Sequence, residues 1–474
     1  MQKFVSKYAL AAHLSLLTAA PLLLLPFFAK SAVAQVVLWL SLACAVWMLL
    51  CPSIRPDELA HDARLRVLKG MLRDPLFWTG LVLVAFSAVR WLNGGIETVY
   101  DAELGDWRIS DPVFAFLPAS AKGEGFLEFA CSVAFVVIAQ SCRHALGRKA
   151  RAFFLSSLVF LAGVAALAFV VSWACGLQWA ESLAECSRTE PSFAGTVFAV
   201  YYIGAVFALA SAFEFDWGKA ALVMSIAMCG ILAAAFLFSP SSTLAVFAIA
   251  LFVSFAILAV YVIRRVSASS ALKFMLAIGV SVVLPTLFIM EFADPALAAA
   301  KVAGFTGGGF FPKEFFAQRS LLSSLSFKIW QKNLWLGSGL GAFPLELRFA
   351  ASPADWKVLA TSQMSPMSGW WMLAAERGIV GSVMLATVFG FLVWTWSARL
   401  VGAVISEFSP DGRPFKSMVH PLCALPLATM ALVVACAFTD GSCWRADMLL
   451  PLAAFLAVGA NAIRKRKRSP KGEK

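Results

Sequence analysis

Residues 293–377 of this 474-residue chain gather side chains suited to ionic chemistry. Lys301, Lys313, Arg319, Lys328, Lys332, Arg348 and Lys357 stand there against Asp294, Glu314, Glu346 and Asp355. A guanidinium matches phosphate oxygens with a two-pronged fork and never deprotonates, so Arg319 and Arg348 are the candidates for holding a phosphate or diphosphate group. The lysines also fit a blander role, as snorkelling charges on an interfacial helix. The stretch GSGLGAF, with Gly337, Gly339, Gly341 and Phe343, is a glycine-punctuated turn opening into a short apolar segment. Further on, SQMSPMSGWWMLAAERGIVG, residues 362–381, carries Trp370, Trp371 and Glu376. The tryptophans are either a sugar-stacking platform or part of an interfacial belt. Glu376 fits a helix-entry carboxylate, paired with Arg377 or held by a helix start.

Other chemistries find no footing in the same region. Of the four histidines, His13 falls in the first apolar span, while His61, His144 and His420 fall on the side that the charge pattern makes cytoplasmic. No zinc spacing, nucleotide-binding glycine loop or Ser-His-Asp arrangement stands on the outer side, so neither metal nor cofactor is expected. Ten cysteines are scattered, mostly inside spans. Cys175 and Cys186 differ, because both lie in or beside one outer loop where an oxidising compartment would let them form a disulfide.

What must position these residues is a set of membrane helices. The chain is 61% apolar and 14% charged, with a mean hydropathy of +0.81, and its apolar runs of about 20 residues each suffice to cross a bilayer. The expected fold is therefore all-α and polytopic, with about 12 transmembrane helices. The spans centre on residues 8–29, 33–51, 76–92, 126–142, 152–174, 192–214, 219–238, 241–263, 272–292, 378–398, 419–438 and 446–463. Residues 1–292 hold spans one to nine, and 293–377 form a large extracytoplasmic loop with short helices. Residues 378–463 hold the last three spans, and 464–474 are a basic tail. Most lysines and arginines fall on one side when both termini are cytoplasmic, which gives the orientation. The net charge of +12 thus reflects topology and attraction to anionic membrane lipid, with no nucleic-acid partner.

Two outer segments are long. Residues 93–125 mix acids, Gly and Pro and read as irregular structure. Within 293–377, Leu322, Leu325 and Ile329 recur at helical spacing, which predicts a helix lying along the membrane surface. No span shows the Gly/Pro interruption of a broken-helix transporter, and Glu128 and Glu214 sit near span ends, where acids are tolerated.

The order Arg319, Gly337, Gly339, Gly341 and Phe343, then Leu373, Glu376, Gly378 and Gly381, set between the ninth and tenth spans, resembles the O-antigen ligase and polymerase superfamily of bacterial envelope glycosyltransferases. The likeness covers roughly residues 190–463, and Asp440 stands where that family has an acid near its last helix. The resemblance implies an inverting, metal-independent glycosyl transfer on the outer face of the bacterial plasma membrane. The donor would be a polyprenyl-diphosphate-linked glycan and the acceptor a glycan or lipid-glycan. It implies that Arg319 first and Arg348 second neutralise the departing diphosphate. The chain departs from the pattern where the family has His-Asn, since Met367 and Ser368 stand there. Methionine accepts no proton, so either a carboxylate such as Glu376 or Glu346 serves, or the acceptor differs, or catalysis is lost. A lipid-linked-oligosaccharide flippase or other transporter, and a non-catalytic polysaccharide scaffold, are the competing readings.

Overall fold

The computed structural model of the protein describes residues 2–23, 60–101, 106–114, 116–121, 124–175, 193–214, 217–238, 268–292, 313–359, 368–407, 422, 425–437 and 448–459. Among them the fold is mostly helical. The helices are α1 (Gln2–Leu23), α2 (Ala60–Leu72), α3 (Pro75–Leu92), α4 (Glu124–Gln140), α5 (Arg148–Ala174), α6 (Phe193–Glu214), α7 (Gly218–Phe238) and α8 (Ala268–Phe292). They continue with α9 (Lys313–Lys332), α10 (Phe343–Ala350), α11 (Asp355–Val358), α12 (Gly369–Glu407), α13 (Leu425–Cys436) and α14 (Leu449–Gly459).

Among the described residues, five stretches are long and apolar enough to cross a membrane: Pro75–Leu92, Glu124–Ala145, Lys149–Ser172, Gly218–Leu237 and Gly369–Trp394. Shorter apolar helices cover Tyr8–Ala19, Val197–Phe213, Leu272–Pro285, Leu425–Ala435 and Leu449–Gly459. The spans expected at 33–51 and 241–263 lie outside the described residues, as do Lys301, Asp294, Cys186, Met367 and Asp440. The expected disulfide therefore falls there too. Its other half, Cys175, is exposed at the end of α5.

Helix starts and close packing follow local chemistry. Asp74 caps α3, its Oδ1 accepting the Leu76 N–H at 3.0 Å, and Pro75 occupies the first turn, where its missing N–H is no loss. Gly80 brings α3 against Phe135 and Val136 of α4, and Gly163 brings α5 against Ala227 of α7. Small residues at such crossings let backbones approach, the main source of helix association where lipid is as apolar as the side chains. The fully buried Phe154, Phe198, Phe207 and Phe455 fill the interior formed by α5, α6 and α14.

Residues 93–125 carry more order than their composition predicts. Strand β1 (Gly94–Ile96) pairs in parallel with β4 (Ser120–Ala121), while β2 (Thr98–Asp101) and β3 (Asp106–Ile109) form an antiparallel hairpin. The cause is one buried side chain. The Asn93 amide donates to the carbonyls of Phe114, Leu117 and Pro118 at 3.0, 3.0 and 3.2 Å, and its Oδ1 accepts from Phe114 N–H at 2.8 Å. Four hydrogen bonds from a single residue fold the loop back, a device that no periodicity announces.

The helix predicted from Leu322, Leu325 and Ile329 is present as α9, but its apolar stripe does not lie on lipid. Those three side chains are buried against Phe343 and Leu347 of α10, Leu359, and Ala375 of α12. Amphipathic spacing identifies a buried face without naming what covers it.

Candidate functional site

The site begins where α12 breaks. Gly378 has φ +61° and ψ −165°, which interrupts the helix immediately after Glu376 and Arg377. The interruption that the sequence did not predict within a span is therefore present, at the residue where the tenth span was expected to begin. A break leaves the carbonyls of 375 and 376 and the N–H groups of 379 and 380 without their helical partners, a severe penalty at membrane depth unless other protein groups replace them.

Residues 333–341 replace them. Ile379 and Val380 donate to the carbonyls of Leu334 and Trp335 at 3.0 and 3.1 Å, while Ser338 and Gly339 donate to those of Ala375 and Glu376 at 2.8 and 3.2 Å. The Ser338 hydroxyl adds a bond to the Ala375 carbonyl at 3.1 Å. The two chains approach so closely that a Cβ on Gly337 would strike the backbone of Glu376 and Arg377, and one on Gly378 would strike Trp335 and Gly337. Both glycines also have positive φ, +76° and +61°, a region that L side chains rarely enter. Their spacing in sequence thus reflects backbone docked on backbone.

This docking fixes Glu376. Its Oε1 accepts the Gly341 N–H at 3.0 Å, and the Phe343 N–H at the start of α10 also donates to its carboxylate. The helix-start alternative is met, but by α10 rather than by the carboxylate's own helix. The other alternative, pairing with Arg377, is not what forms. Arg377 Nη2 instead meets Glu128 Oε1 of α4 at 2.9 Å.

Glu128 is the centre of a charge cluster that the sequence did not single out. It lies 3% exposed, with Arg90 Nη1 of α3 at 3.2 Å from both its oxygens. Arg90 is fully buried, donates through Nη2 to the Glu376 carbonyl at 3.1 Å, and rests over the Phe86 ring at 5.2 Å. Its own carbonyl accepts from Ser120 Oγ at 3.0 Å, which ties the cluster to β4. Arg90, near the end of α3, and Glu128, near the start of α4, thus do lie at span ends, but buried and paired with each other rather than facing water. The available signal was the presence of ionisable residues at the ends of apolar runs, which membranes make expensive unless paired.

Beside the cluster opens a small cleft of about 40 Å³, lined by Leu83, Phe86, Glu128, Ser132, Val200, Arg377, Leu385, Phe389, Thr429, Val433, Met448, Leu449 and Leu452. Most of its wall is apolar. Glu128 and Arg377 bring charge to it, and Ser132 and Thr429 bring hydroxyls. The arrangement sets a mostly apolar cleft, walled by α3, α4, α6, α12, α13 and α14, beside the guanidinium of Arg377, the two-part chemistry that an amphiphile with an anionic head would need.

The residues chosen from sequence are distributed unevenly. Gly337, Gly339, Gly341 and Glu376 come together at the break. Phe343 is fully buried in the apolar cluster beneath α9, so its side chain positions the segment rather than meeting a ligand. Trp371 is half-buried with its ring edge-on to Phe327 at 6.0 Å, whereas Trp370 is exposed. Arg348 is exposed on α10. Arg319 is half-buried on α9, where partial desolvation lowers its pKa. Neither arginine is among the charges acting on Glu376, which are Arg90, Arg377 and Glu124. Among the described residues no group of three or more His, Cys, Asp or Glu side chains could hold a metal ion. No protein-family model matches the chain, and no curated protein matches it.

Proposed function

We propose that the protein is a membrane glycosyltransferase acting on a polyprenyl-diphosphate-linked glycan, of the ligase or polymerase type. The observation that carries the reading is the apolar cavity ending at the Arg377–Glu128 pair. An isoprenoid diphosphate has the same two-part character, a hydrocarbon chain that needs an apolar wall and a head that needs fixed cations. Arg377 would meet the diphosphate, and Arg90 behind it would hold Glu128 so that one guanidinium stays available to substrate. Arg319 and Arg348 would act further out, where the glycan and the rest of the head group emerge from the membrane.

In the transfer, an acceptor hydroxyl oxygen forms a bond to the anomeric carbon while the bond from that carbon to the diphosphate oxygen breaks. The departing diphosphate keeps the electron pair, and preorganised guanidinium groups stabilise that developing charge. The proton of the acceptor passes to the released diphosphate, so the scheme does not require the histidine that Met367 replaces. Glu376 acts here as a clamp for the glycine segment, since backbone N–H groups already occupy its carboxylate.

The test is binding of glycan-free polyprenyl diphosphate to the full chain in nanodiscs. Arg377→Ala should weaken it by about tenfold or more, the weight of a charge-assisted hydrogen bond in a dry site. Equal affinity in wild type and variant would remove the cavity from the function. A transporter reading also draws on one observation, the broken helix at Gly378, because discontinuous helices mark transporter binding sites. Vesicles loaded on one side with lipid-linked glycan separate the two. New glycosidic product supports transfer, and intact substrate on the far leaflet supports transport.

A further inference from the structure

The hairpin of β2 and β3 carries an aromatic pair that the site does not use. Its register sets Tyr100 opposite Trp107 and Thr98 opposite Ile109, so these four side chains share one face, while Val99, Asp101, Asp106 and Arg108 share the other. The two rings meet edge to face at 5.5 Å, and both stay largely in the open, at 52% and 57% exposure. Large rings exposed together in this way mark an interaction surface.

The same face points toward the glycine segment. Ile109 packs on a small cluster of Ile96, Ala119, Ala342 and Leu345, and Leu340 is bonded to the strand beside it, Ala121 N–H to Leu340 O at 2.7 Å and Leu340 N–H to Ala119 O at 3.0 Å. The face that carries the rings therefore borders, through Ile109, the segment that contains Ala342.

Charge decides what could cover them. Residues 97–111 contain Glu97, Asp101, Glu103, Asp106 and Asp111 against the single Arg108. Such a segment is expensive to place in hydrocarbon and is repelled by anionic head groups. Residues 112–121 are the contrast. They contain no charged residue, yet expose Val113, Phe114 and Phe116, a composition that suits lipid. The Tyr100–Trp107 pair thus belongs in water, on the face of the hairpin opposite Asp101 and Asp106. Open aromatic faces stack on the C–H faces of pyranose rings, and carboxylates accept hydrogen bonds from sugar hydroxyls.

We infer that Tyr100 and Trp107 form a platform for an uncharged glycan chain leading to or from the break at Gly378. The inference rests on the reading above that the substrate carries a glycan, and it adds a second binding site to it. The platform takes sugar rings by stacking, and the carboxylate fringe excludes strongly anionic polymers by repulsion.

The full chain in phosphatidylcholine nanodiscs is titrated with hexasaccharides of glucose, galactose and N-acetylglucosamine, followed by saturation-transfer NMR on the sugar signals. At least one should bind saturably. Trp107→Ala should weaken it by about tenfold, the loss typical of an aromatic anchor, and Trp107→Phe should retain most of it. Failure of every hexasaccharide to bind wild type, or equal binding to Trp107→Ala, overturns the platform. So does quenching of a fluorophore at Tyr100→Cys by brominated acyl chains, which would place the pair in lipid. Polyprenyl diphosphate binding measured on the same samples reports on the cavity separately, so either site can fail without the other.

Discussion

Glu128 is held by two guanidinium groups, Arg90 at 3.2 Å and Arg377 at 2.9 Å, in a nearly buried place. Removing one member of a buried ion pair leaves the other charges uncompensated, typically at about 3–5 kcal/mol. Glu128→Gln should therefore destabilise the protein by an amount of that order in reversible unfolding from mixed micelles, and an unchanged midpoint would show that the cluster is solvated. The outer arginines belong to a different regime. Arg319→Ala should abolish glycan transfer by the purified protein with little change in stability, and Arg319→Lys should not restore it if two-pronged phosphate binding is the role. Wild-type turnover in the alanine variant would take Arg319 out of the site. Sequence named Arg319, Arg348 and Glu376 because they lie in one segment with the glycines. It passed over Arg90 and Glu128 because residues far apart along the chain meet only after α3 and α4 have packed.

The element that decides the site is the interrupted helix α12, together with the segment that repairs it. Gly378→Ala introduces a side chain at φ +61° and drives it into Trp335 and Gly337. It should unseat the glycine segment, which limited proteolysis near residues 337–341 would detect as faster cleavage. The carboxylates of the outer elements give opposite pH signatures. Burial raises the Glu346 pKa, against a smaller opposing pull from Lys332, so its contribution to stability is present at low pH and is lost as pH rises through the raised value. Glu346→Gln should consequently raise Tm at pH 7 and change little at pH 4. Asp355 behaves in the reverse sense. The Ser352 N–H and hydroxyl, both at 2.8 Å, lower its pKa, so its contribution holds above the ordinary carboxylate range and fades on acidification. Helical spacing revealed α9 and its buried stripe, whereas the hairpin depended on the single side chain of Asn93.

Across the whole molecule, α3, α4 and α12 are tied together at two depths. At one end stand Arg90, Glu128 and Arg377. At the other, Arg143 in a π-helical turn (Ser141–Ala145) pairs with Asp74 and lies 5.4 Å from the centre of the Trp396 ring of α12. Asp74 and Arg90 are separated by most of α3, roughly 24 Å at 1.5 Å per residue. The cavity lies between the two ties, its walls supplied by Leu83, Phe86, Leu385 and Phe389. At such a distance, destabilisations from Asp74→Asn and Glu128→Gln should add to within about 0.5 kcal/mol. A larger discrepancy would show that α12 couples the two ends of the bundle.

Apolar runs and the scarcity of charge were sufficient to determine a helical membrane protein, because a backbone in hydrocarbon has to satisfy itself and a helix does so locally. The same local logic exposed the stripe of α9 and the glycine turn at 337–341, but not the break at Gly378. The partners of the buried charges were decided by tertiary packing alone. An arginine inside an apolar run announces that something must compensate it, but which carboxylate does so, and whether a cavity opens beside the pair, depends on how distant helices cross.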